Sequence, residues 1–337
     1  MASKTTQVAL IVGASRGIGR QVAIDLAANG YIVVVAAKST SDASSVKPFP
    51  PDPNSQQSTI STVEREIREA GGVATAIAVD TRDYESVQKL VEGTIKVCLH
   101  CPSPNDVVTS MTDLAGFTQM YGRLDVVIYN SGAIWWASVE NTPMKRFQLM
   151  QRVNPEGLYG TIQAALPYFK KNGWKGRIIV VSPPIYSRFF RGKTAYAMGK
   201  VGMSVLTKGL AMDWDREGKS DMAITSIWPA ASIESAATGQ ITKTDPSANK
   251  DLRKPTIYSD AILAMLRAPA KDVNGLLATD EDFLRDHEGI TDFSKYSLVE
   301  GAVPRRIMPA EFPDLTVAEQ ADEGRRTDST KMRRSKL

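Results

Sequence analysis

Short apolar runs alternate along most of this chain with segments whose apolar residues recur at helical spacing. The run VALIV follows Gln7 directly, and the run YIVVVAA follows the segment RQVAIDLAANG. Apolar runs of this length are typical of parallel strands that are buried on both faces. The rhythm returns at VATAIAVD, LDVVIY and AITSIW. It predicts an α/β fold in which helices flank one doubly wound parallel sheet in a single domain.

Two segments depart from this rhythm. Residues 39–58 are rich in Ser, Pro and Asp and carry few apolar side chains, which predicts a long loop after the second strand. After Pro313 the chain is polar and charged, with too few apolar groups to form a packed core. We therefore expect a folded domain over residues 1–310 and a flexible tail over residues 311–337.

Composition and charge exclude several classes of protein. The chain has 337 residues, of which 42% are hydrophobic, and this is enough for a substantial core. The net charge is only +4, and part of it belongs to the C-terminal tail, so no basic stripe indicates a nucleic-acid partner. No apolar run is long enough to span a membrane, and the N-terminus MASKTTQ lacks a secretory segment. Two cysteines predict no disulfide framework.

A glycine-rich turn, GASRGIG, joins the first apolar run to the first helical segment. Glycines let the backbone approach a pyrophosphate closely, and the positive end of the following helix favours that negative charge. Strand, turn and helix together predict a Rossmann-type dinucleotide site, and an ordinary tight turn is the alternative. The candidate cofactor-binding residues in this turn are Gly13, Ser15, Arg16, Gly17, Ile18 and Gly19.

Tyr196 and Lys200 lie four residues apart, and Ser182 ends an apolar run upstream of them. Residues four apart share one face of a helix, so the Lys200 ammonium can lie beside the Tyr196 phenol. A fixed cation favours the phenolate and moves its pKa from about 10 towards neutrality, which predicts a usable general acid and base. Ser182 could hydrogen-bond the oxygen that Tyr196 protonates. Taken alone, such a pair recurs by chance on exposed helices.

The glycine turn, Ser182, Tyr196 and Lys200 follow one another along the chain as the corresponding motifs do in the short-chain dehydrogenase/reductase family, which this chain resembles. The glycine spacing is G-x-x-x-G-x-G, and the resemblance extends roughly from Thr6 to Ala310. It implies an adenine contact at Asp80 and a loop on the nicotinamide side that begins at Pro229. The further cofactor contacts that it implies are Asn130, Gly132, Ile233, Tyr196 and Lys200, and the implied catalytic tetrad is Asn154, Ser182, Tyr196 and Lys200.

The tetrad implies hydride transfer between a nicotinamide and a carbonyl or secondary alcohol. Tyr196 would exchange a proton with the substrate oxygen, Ser182 would hold that oxygen, and Lys200 would bind the cofactor ribose. Asn154 would hold a water that leads from Lys200 to solvent, or would only bridge a helix kink. Two other functions stay open. One is a cofactor-binding scaffold without turnover, and the other is an epimerase or dehydratase that uses bound cofactor.

A finer resemblance indicates the hydroxysteroid dehydrogenase-like branch of this family. It rests on the segments AAKST, TPMKRF and GITDF, and above all on Pro183 and Pro184 after Ser182, where most members have a small residue. Pro183 removes a backbone donor and could tilt Ser182. The branch also carries a sterol-carrier-like domain. The residues after Pro309 are too few for it, so we expect that domain to be absent.

The end of the second strand indicates which nicotinamide cofactor is used. NAD sites usually place Asp or Glu there for the ribose 2′-hydroxyl, whereas a 2′-phosphate requires cations. This chain has Lys38 and Ser39 there, and Arg16 lies inside the glycine turn. We therefore assign Lys38 and Ser39 to the cofactor site and predict NADP(H), with NAD(H) as the alternative. An exposed surface lysine is the other interpretation of Lys38.

The substrate is the least defined part of this prediction. The loop from Ala230 to Pro255 mixes apolar and polar residues and predicts a partly apolar pocket. The peroxisomal location that the chain end indicates, described below, favours a fatty acyl derivative or an oxidised side chain, and a secondary-metabolite carbonyl is equally open. Trp135 and Trp136 either line its mouth or pack in the core. The family also pairs helices into dimers or tetramers, here those that span Pro143–Lys171 and Thr194–Asp215.

Residues 97–116 form an insertion relative to the family, within the helix that begins at Tyr84. The insertion carries Cys98 and Cys101, whose C-x-x-C spacing could indicate redox chemistry or half of a zinc site. No second pair of ligands completes a four-coordinate site, so we assign no metal. A surface excursion is the ordinary interpretation, and translation of a retained intron is the alternative.

The chain ends in Ser335-Lys336-Leu337. A terminal Ser-Lys-Leu is a peroxisomal address that an import receptor reads. The polar tail would present these residues to the receptor. We therefore expect a peroxisomal location, with the import receptor as a partner.

Overall fold

Nine strands occur in the part of the chain that the structure describes, which comprises residues 7–96 and 122–318 of a computed structural model. Seven strands form one sheet, and β7 and β8 pair with each other separately. The strands are β1 (Val8–Val12), β2 (Ile32–Ala37), β3 (Val73–Ala78), β4 (Val126–Tyr129), β5 (Gly176–Val181), β6 (Met222–Trp228), β7 (Ser232–Ile233), β8 (Leu252–Arg253) and β9 (Leu277–Thr279).

Ten α-helices lie in the same two ranges of residues and are numbered here in chain order. A π-helical turn, Arg152–Glu156, joins α4 to α5. The helices are α1 (Gly17–Ala28), α2 (Ile60–Glu69), α3 (Tyr84–Lys96), α4 (Met144–Gln151), α5 (Gly157–Lys171), α6 (Thr194–Arg216), α7 (Gly239–Thr244), α8 (Thr256–Arg267), α9 (Ala270–Val273) and α10 (Asp280–Glu288).

The main sheet is parallel throughout, and helices cover both of its faces. Successive side chains of a strand point to opposite faces. Ala9 and Ile11 therefore pack in a core cluster with residues of α1, α2 and α8. Leu10 and Val12 pack on the other face with residues of α3, α5 and α6. Burial on both faces explains why the strands are continuous apolar runs.

The strand order β3-β2-β1-β4-β5-β6-β9 reverses its direction between β1 and β4. The chain runs outward from β1 to β3, returns to β4 at the centre, and then runs outward again to β9. A crevice forms outside the carboxyl ends of the strands at such a point. The glycine turn follows β1 and the segment 130–133 follows β4, so both lie at this crevice.

The predicted doubly wound α/β fold is confirmed by this topology. The run VALIV forms β1 over its whole length, whereas the run VATAIAVD leaves the sheet after Ala78. The helix predicted over Pro143–Lys171 is interrupted by the π-helical turn. Pro155 lies in this turn and has no backbone N–H, so it cannot donate the regular helical hydrogen bond there.

Some predicted features lie outside the described residues, namely the insertion 97–116 with its two cysteines and the terminal Ser335-Lys336-Leu337. Residues 39–58 form an irregular connection with one short 3₁₀ turn at Ala43–Ser45. Within residues 7–96 and 122–318, no helix is long and apolar enough to cross a membrane. The same ranges contain no group of three His, Cys, Asp or Glu side chains that could hold a metal ion.

Candidate active site

The glycine turn after β1 is built from close backbone contacts. The Gly13 amide, in a residue with a φ of 93°, donates to the Ala36 carbonyl at 2.6 Å. A Cβ at Gly19 would lie only 2.1 Å from the Gly13 oxygen. The Asn130 side-chain amide donates to that same oxygen at 2.8 Å. The first turn of α1 therefore reaches the ends of β1 and β4 only because these positions are glycine.

Residues of the loop 39–58 pack against this turn. The Gly17 amide donates to the Pro53 carbonyl at 3.0 Å, and the Ser58 hydroxyl donates to the Ser15 carbonyl at 2.7 Å. The loop therefore lies beside the N-terminus of α1, next to the predicted dinucleotide site. Its composition predicts a loop and contains no signal for these long-range contacts.

One cleft contains both the glycine turn and the Tyr196–Lys200 pair. Both side chains project from α6 and are nearly fully buried, at 3% and 4% exposure. The Lys200 ammonium donates to the Val181 carbonyl at 2.9 Å. A Cβ at Gly132 would lie 3.3 Å from Lys200 Nζ, so glycine keeps this approach open. The cleft is lined by Arg16, Gly17, Ile18, Asn130, Gly132, Ile134, Val181, Tyr196, Lys200, Trp228, Pro229, Ser235, Ala236 and Ala237.

The protonation of this pair differs from the sequence-based expectation. Burial raises the pKa of Tyr196 above its ordinary value, and burial lowers the pKa of Lys200 to about 7. Removal from water disfavours the charged form of each group. The lysine therefore does not lower the tyrosine pKa in this structure, because desolvation acts on both groups and no contact between them offsets it. At neutral pH Tyr196 is a phenol that can donate a proton.

Ser182 lies directly after β5 and is completely buried. Its hydroxyl has no hydrogen-bond partner among the described residues, and its carbonyl accepts a hydrogen bond from the Ser226 hydroxyl at 3.1 Å. The next carbonyl, that of Pro183, accepts from the Ser204 hydroxyl at 2.6 Å. The two serine hydroxyls thus hold the backbone of the Ser-Pro-Pro segment. Ser182 is absent from the cleft lining, whereas its neighbour Val181 lines the cleft together with Tyr196 and Lys200.

Asn154 lies in the π-helical turn and is fully buried. Its side chain accepts from the Ala133 amide at 2.8 Å and donates to the Ala133 carbonyl at 3.1 Å. The Tyr129 hydroxyl donates to the neighbouring Val153 carbonyl at 2.6 Å. These bonds tie the widened helical turn to the segment after β4. They run to another segment and not across the helix kink, so the water-holding role and the kink-bridging role of Asn154 both stay predictions.

The candidate 2′-phosphate residues converge at the end of β2. Arg16 donates to the Ser39 hydroxyl at 3.3 Å, and the exposed Lys38 ammonium lies 3.2 Å from Asp80. Asp80 also forms an ion pair with Arg82, which holds the pKa of that carboxyl far below its usual range, with Lys38 contributing less. Arg82 was not predicted. Its spacing of two residues from Asp80 is the local signal that could have identified it.

Aromatic side chains pack next to the Tyr196 ring. The rings of Trp136 and Phe189 lie 6.3 and 6.4 Å from the Tyr196 ring, and Phe189 meets Trp228 at 5.8 Å. We call Trp136, Phe189 and Trp228 the aromatic wall. Trp136 is 52% exposed and is absent from the cleft lining, so its predicted place at the mouth of the cleft stays a prediction. Tyr186 extends this cluster, since its ring lies 6.0 Å from that of Phe189.

Two other predicted residues take different positions. Trp135 is partly buried and lies under the Arg146 guanidinium, at 4.5 Å from its ring centre. Ile233 is buried in the core cluster that contains α8 and is absent from the cleft lining. Phe312 belongs to the segment that we assign to the tail, and its ring lies 5.6 Å from that of Tyr186.

The residues that line the cleft suit a ligand that carries negative charge. The N-terminus of α1 attracts such charge, and the glycine turn allows close approach to backbone amides. An ammonium has three donors, and the Val181 carbonyl takes one of those of Lys200. These features fit a nicotinamide dinucleotide, with Arg16, Gly17 and Ile18 at its pyrophosphate and Lys200 at its ribose.

Comparison with known proteins identifies a family that matches this chain. The sequence model of a family described as short chain dehydrogenase matches residues 7–48 and 107–245. Hydroxysteroid dehydrogenase-like protein 2 of Xenopus tropicalis is 32% identical over 293 residues, which are 86% of this chain and 60% of the relative. The chain therefore spans about three fifths of the length of that relative.

Solved structures share the fold. A short chain dehydrogenase of Mycobacterium thermoresistibile superposes with a TM-score of 0.69 and 30% identity, over 89% of this chain and 93% of that one. A variant of actinorhodin polyketide ketoreductase with NADPH has a TM-score of 0.61 at 18% identity, over 83% of this chain and 97% of that one. The family model covers more than half of the 337 residues. The chain belongs to the short-chain dehydrogenase family.

Proposed function

We propose that this protein is an NADP(H)-dependent oxidoreductase that interconverts an apolar carbonyl compound and the corresponding secondary alcohol. The observation that carries the proposal is that Tyr196 and Lys200 line the same cleft as the glycine turn. A site for a dinucleotide and a proton donor at its other end are the two parts that such a reaction needs.

A bound nicotinamide would supply or accept the hydride. A tyrosine is protonated at neutral pH, and burial raises the pKa of Tyr196 further, so this phenol is present as a donor for an oxygen that becomes negatively charged. Lys200 would hold the ribose through the donors that Val181 leaves free. Asn154 holds Ala133, the residue after Gly132 in the cleft lining. The Ser182 hydroxyl is buried without a hydrogen-bond partner among the described residues, and Ser182 directly follows Val181, which lines the cleft. We keep Ser182 as a predicted oxygen ligand.

The preference for NADP(H) rests on charge at the end of β2. Lys38 and Arg82 both pair with the carboxylate of Asp80, and Arg16 donates to the hydroxyl of Ser39, the residue after Lys38. This excess of positive charge favours a 2′-phosphate over a ribose hydroxyl. The NADPH of the related ketoreductase adds little, because a likeness at 18% identity concerns the fold alone.

Substitution of Lys38 tests this preference. We expect Lys38→Ala to raise the KM for NADPH about tenfold and to leave the KM for NADH unchanged, because one exposed cation is lost from the 2′-phosphate. Steady-state kinetics with both cofactors would measure this. Lys175→Ala is a suitable control, since Lys175 is also exposed but pairs with Asp221 far from the cleft. An unchanged NADPH preference would remove Lys38 from the cofactor site.

An apolar substrate is supported by the aromatic wall. The rings of Trp136 and Phe189 lie next to the Tyr196 ring, and Trp228 contacts Phe189. Trp228 itself lines the cleft together with Ile134, Ala236 and Ala237. Such surfaces bind apolar bodies and leave the phenol as the polar group that orients a carbonyl. Both predicted classes, fatty acyl derivatives and secondary-metabolite carbonyls, meet this description.

The purified protein tests the function directly. NADPH oxidation would be measured with ketones, aldehydes and acyl thioesters that carry an additional keto group, in series of increasing apolar length. We expect consumption of NADPH to rise with apolar length. Binding of cofactor without turnover of any of these compounds would favour a scaffold. Product formation without net consumption of NADPH would favour an epimerase or dehydratase.

We also propose assembly through α5 and α6. Met198, Val205 and Met212 recur at every seventh residue of α6 and are each more than half exposed, as is Tyr159 of α5. An exposed apolar stripe of this kind is typical of a protein interface. It supports the predicted homodimer or homotetramer.

Peroxisomal import is proposed from Ser335-Lys336-Leu337 alone. The protein would be expressed with a fluorescent tag at its N-terminus, with and without Leu337. We expect the complete chain in peroxisomes and the shortened chain in the cytosol, because the receptor reads the last three residues. Import of the shortened chain would refute the signal.

A further inference from the structure

Three consecutive carboxylates begin α10, and each one binds a different segment of the chain. Asp280 accepts a hydrogen bond from the Ala230 amide at 2.8 Å. Glu281 forms an ion pair with Arg253, and Asp282 forms one with Arg306. We call Asp280, Glu281 and Asp282 the carboxylate turn.

Ala230 is held on both sides at the edge of the cleft. Trp228 and Pro229, which precede it, line the cleft. Its amide donates to Asp280, and its carbonyl accepts from the Ile307 amide at 2.8 Å and from the Met308 amide at 3.2 Å. Arg306, bound to the carboxylate turn, precedes these two donors. The carboxylate turn therefore fixes Ala230 directly through its amide and indirectly through its carbonyl.

The carboxylate turn also holds Arg253, which lies in β8 at the other end of the excursion that begins at Ala230. The strands β7 and β8 close this excursion, and the Glu234 amide donates to the Arg253 carbonyl at 2.9 Å. The Arg253 guanidinium is buried and bonds both Glu281 and the Phe293 carbonyl. Adjacent residues of α10 thus hold both ends of the segment 230–253. This segment supplies Ser235, Ala236 and Ala237 to the cleft.

Asp280 occupies an unfavourable environment for a carboxylate. It is 1% exposed, and its second oxygen, Oδ2, has no hydrogen-bond partner among the described residues. Burial raises its pKa to about 7, although the Ala230 and Glu281 amides donate to its other oxygen. A buried carboxylate that leaves one oxygen unpaired lowers stability. The charged or titratable groups that face it are Glu281, Arg253, Arg306, Tyr258 and Tyr296.

We propose that Asp280 is a positioning residue for the cofactor. By holding the Ala230 amide, it sets the wall of the cleft that Trp228, Pro229 and the segment 235–237 form opposite the glycine turn. Asp280 itself does not line the cleft, so it acts through Ala230. This inference rests on the proposed function, because it assumes that the nicotinamide cofactor binds in the cleft that these residues line.

The test compares the dissociation constant of NADPH, the KM for NADPH and kcat among variants of the whole chain. Asp280→Ala removes the acceptor, and we expect the dissociation constant to rise about tenfold, the effect of one lost buried hydrogen bond. Asp280→Asn keeps one oxygen for the Ala230 amide, and we expect the dissociation constant to stay within about twofold of the wild type. Asp286→Ala is the matched control, since Asp286 is an exposed residue of the same helix.

Arg306→Met tests the hydrogen bonds to the Ala230 carbonyl, because Arg306 holds the segment whose Ile307 and Met308 amides donate to it. We expect it to weaken NADPH binding as well, because it releases the segment that donates to the Ala230 carbonyl. This variant carries the test if Asp280→Ala does not fold, as judged by circular dichroism. If folded Asp280→Ala and Arg306→Met both bind NADPH like the wild type, the inference is wrong. If the wild type binds neither NADPH nor NADH, it is the proposed function that fails.

Discussion

Replacement of Tyr196 by Phe is expected to lower kcat for carbonyl reduction by about 10²- to 10⁴-fold, the range that general acid catalysis contributes. The ring would keep its contacts with Trp136 and Phe189. The affinity for NADPH and the melting temperature should therefore change little. Steady-state kinetics, cofactor titration and thermal unfolding of the same preparations measure the three quantities.

Tyr186→Phe provides the matched control for this variant. Tyr186 also belongs to the aromatic cluster, but its hydroxyl donates to the Met308 sulfur at 3.4 Å and does not line the cleft. We expect Tyr186→Phe to keep at least about a third of the wild-type kcat, since only a weak hydrogen bond is lost. Less than a tenfold loss in Tyr196→Phe would remove the phenol from the acid–base role.

The pH dependence of the wild type follows from the raised pKa of Tyr196. Alcohol oxidation requires the phenolate, whose fraction grows about tenfold per pH unit below the pKa. The oxidation rate should therefore rise steadily from pH 6 to about 9, because a raised pKa lies above its ordinary value of about 10. A plateau that begins below pH 8 would show instead that Lys200 lowers the tyrosine pKa in the cofactor complex.

Replacement of Gly19 by Ala is expected to weaken NADPH binding by at least about tenfold, since displaced backbone amides lose hydrogen bonds to a charged ligand. The new Cβ would lie 2.1 Å from the Gly13 oxygen and 2.5 Å from the Asn130 amide nitrogen. The glycine turn must therefore open. We also expect a loss of about 1–3 kcal/mol in the free energy of unfolding, the usual effect of overpacking. Denaturant titration and cofactor titration measure both effects.

Gly209→Ala is the matched control for the glycine turn. Gly209 is an exposed residue of α6, and a Cβ there would meet no atom within 4 Å. Alanine forms helices better than glycine, so within one subunit this variant should be about 1 kcal/mol more stable and should bind NADPH like the wild type. Gly209 lies between Val205 and Met212 on the proposed interface, so the two proteins are compared in the same oligomeric state, checked by size-exclusion chromatography. Equal cofactor affinity in Gly19→Ala and the wild type would contradict the assigned contact of the turn.

Local sequence patterns determined the order of elements and part of the site. Continuous apolar runs identified the strands because both faces of the sheet are covered by helices. The glycine spacing identified the turn after β1, and the four-residue spacing placed Tyr196 and Lys200 on one helix. Each of these features depends on residues that are close in the chain, so periodicity and motif spacing were sufficient to predict them.

Only the tertiary structure decided the protonation of the two candidate catalytic residues and the long-range contacts that hold the site together. The pKa values of Tyr196 and Lys200 depend on how completely distant elements remove them from water, and desolvation acts in the direction opposite to that predicted for the tyrosine. The pairing of Lys38 with Asp80 spans 42 residues, and that of Asp280 with Ala230 spans 50. Such contacts leave no periodic trace in the sequence, because they arise where separate elements meet at the carboxyl edge of the sheet.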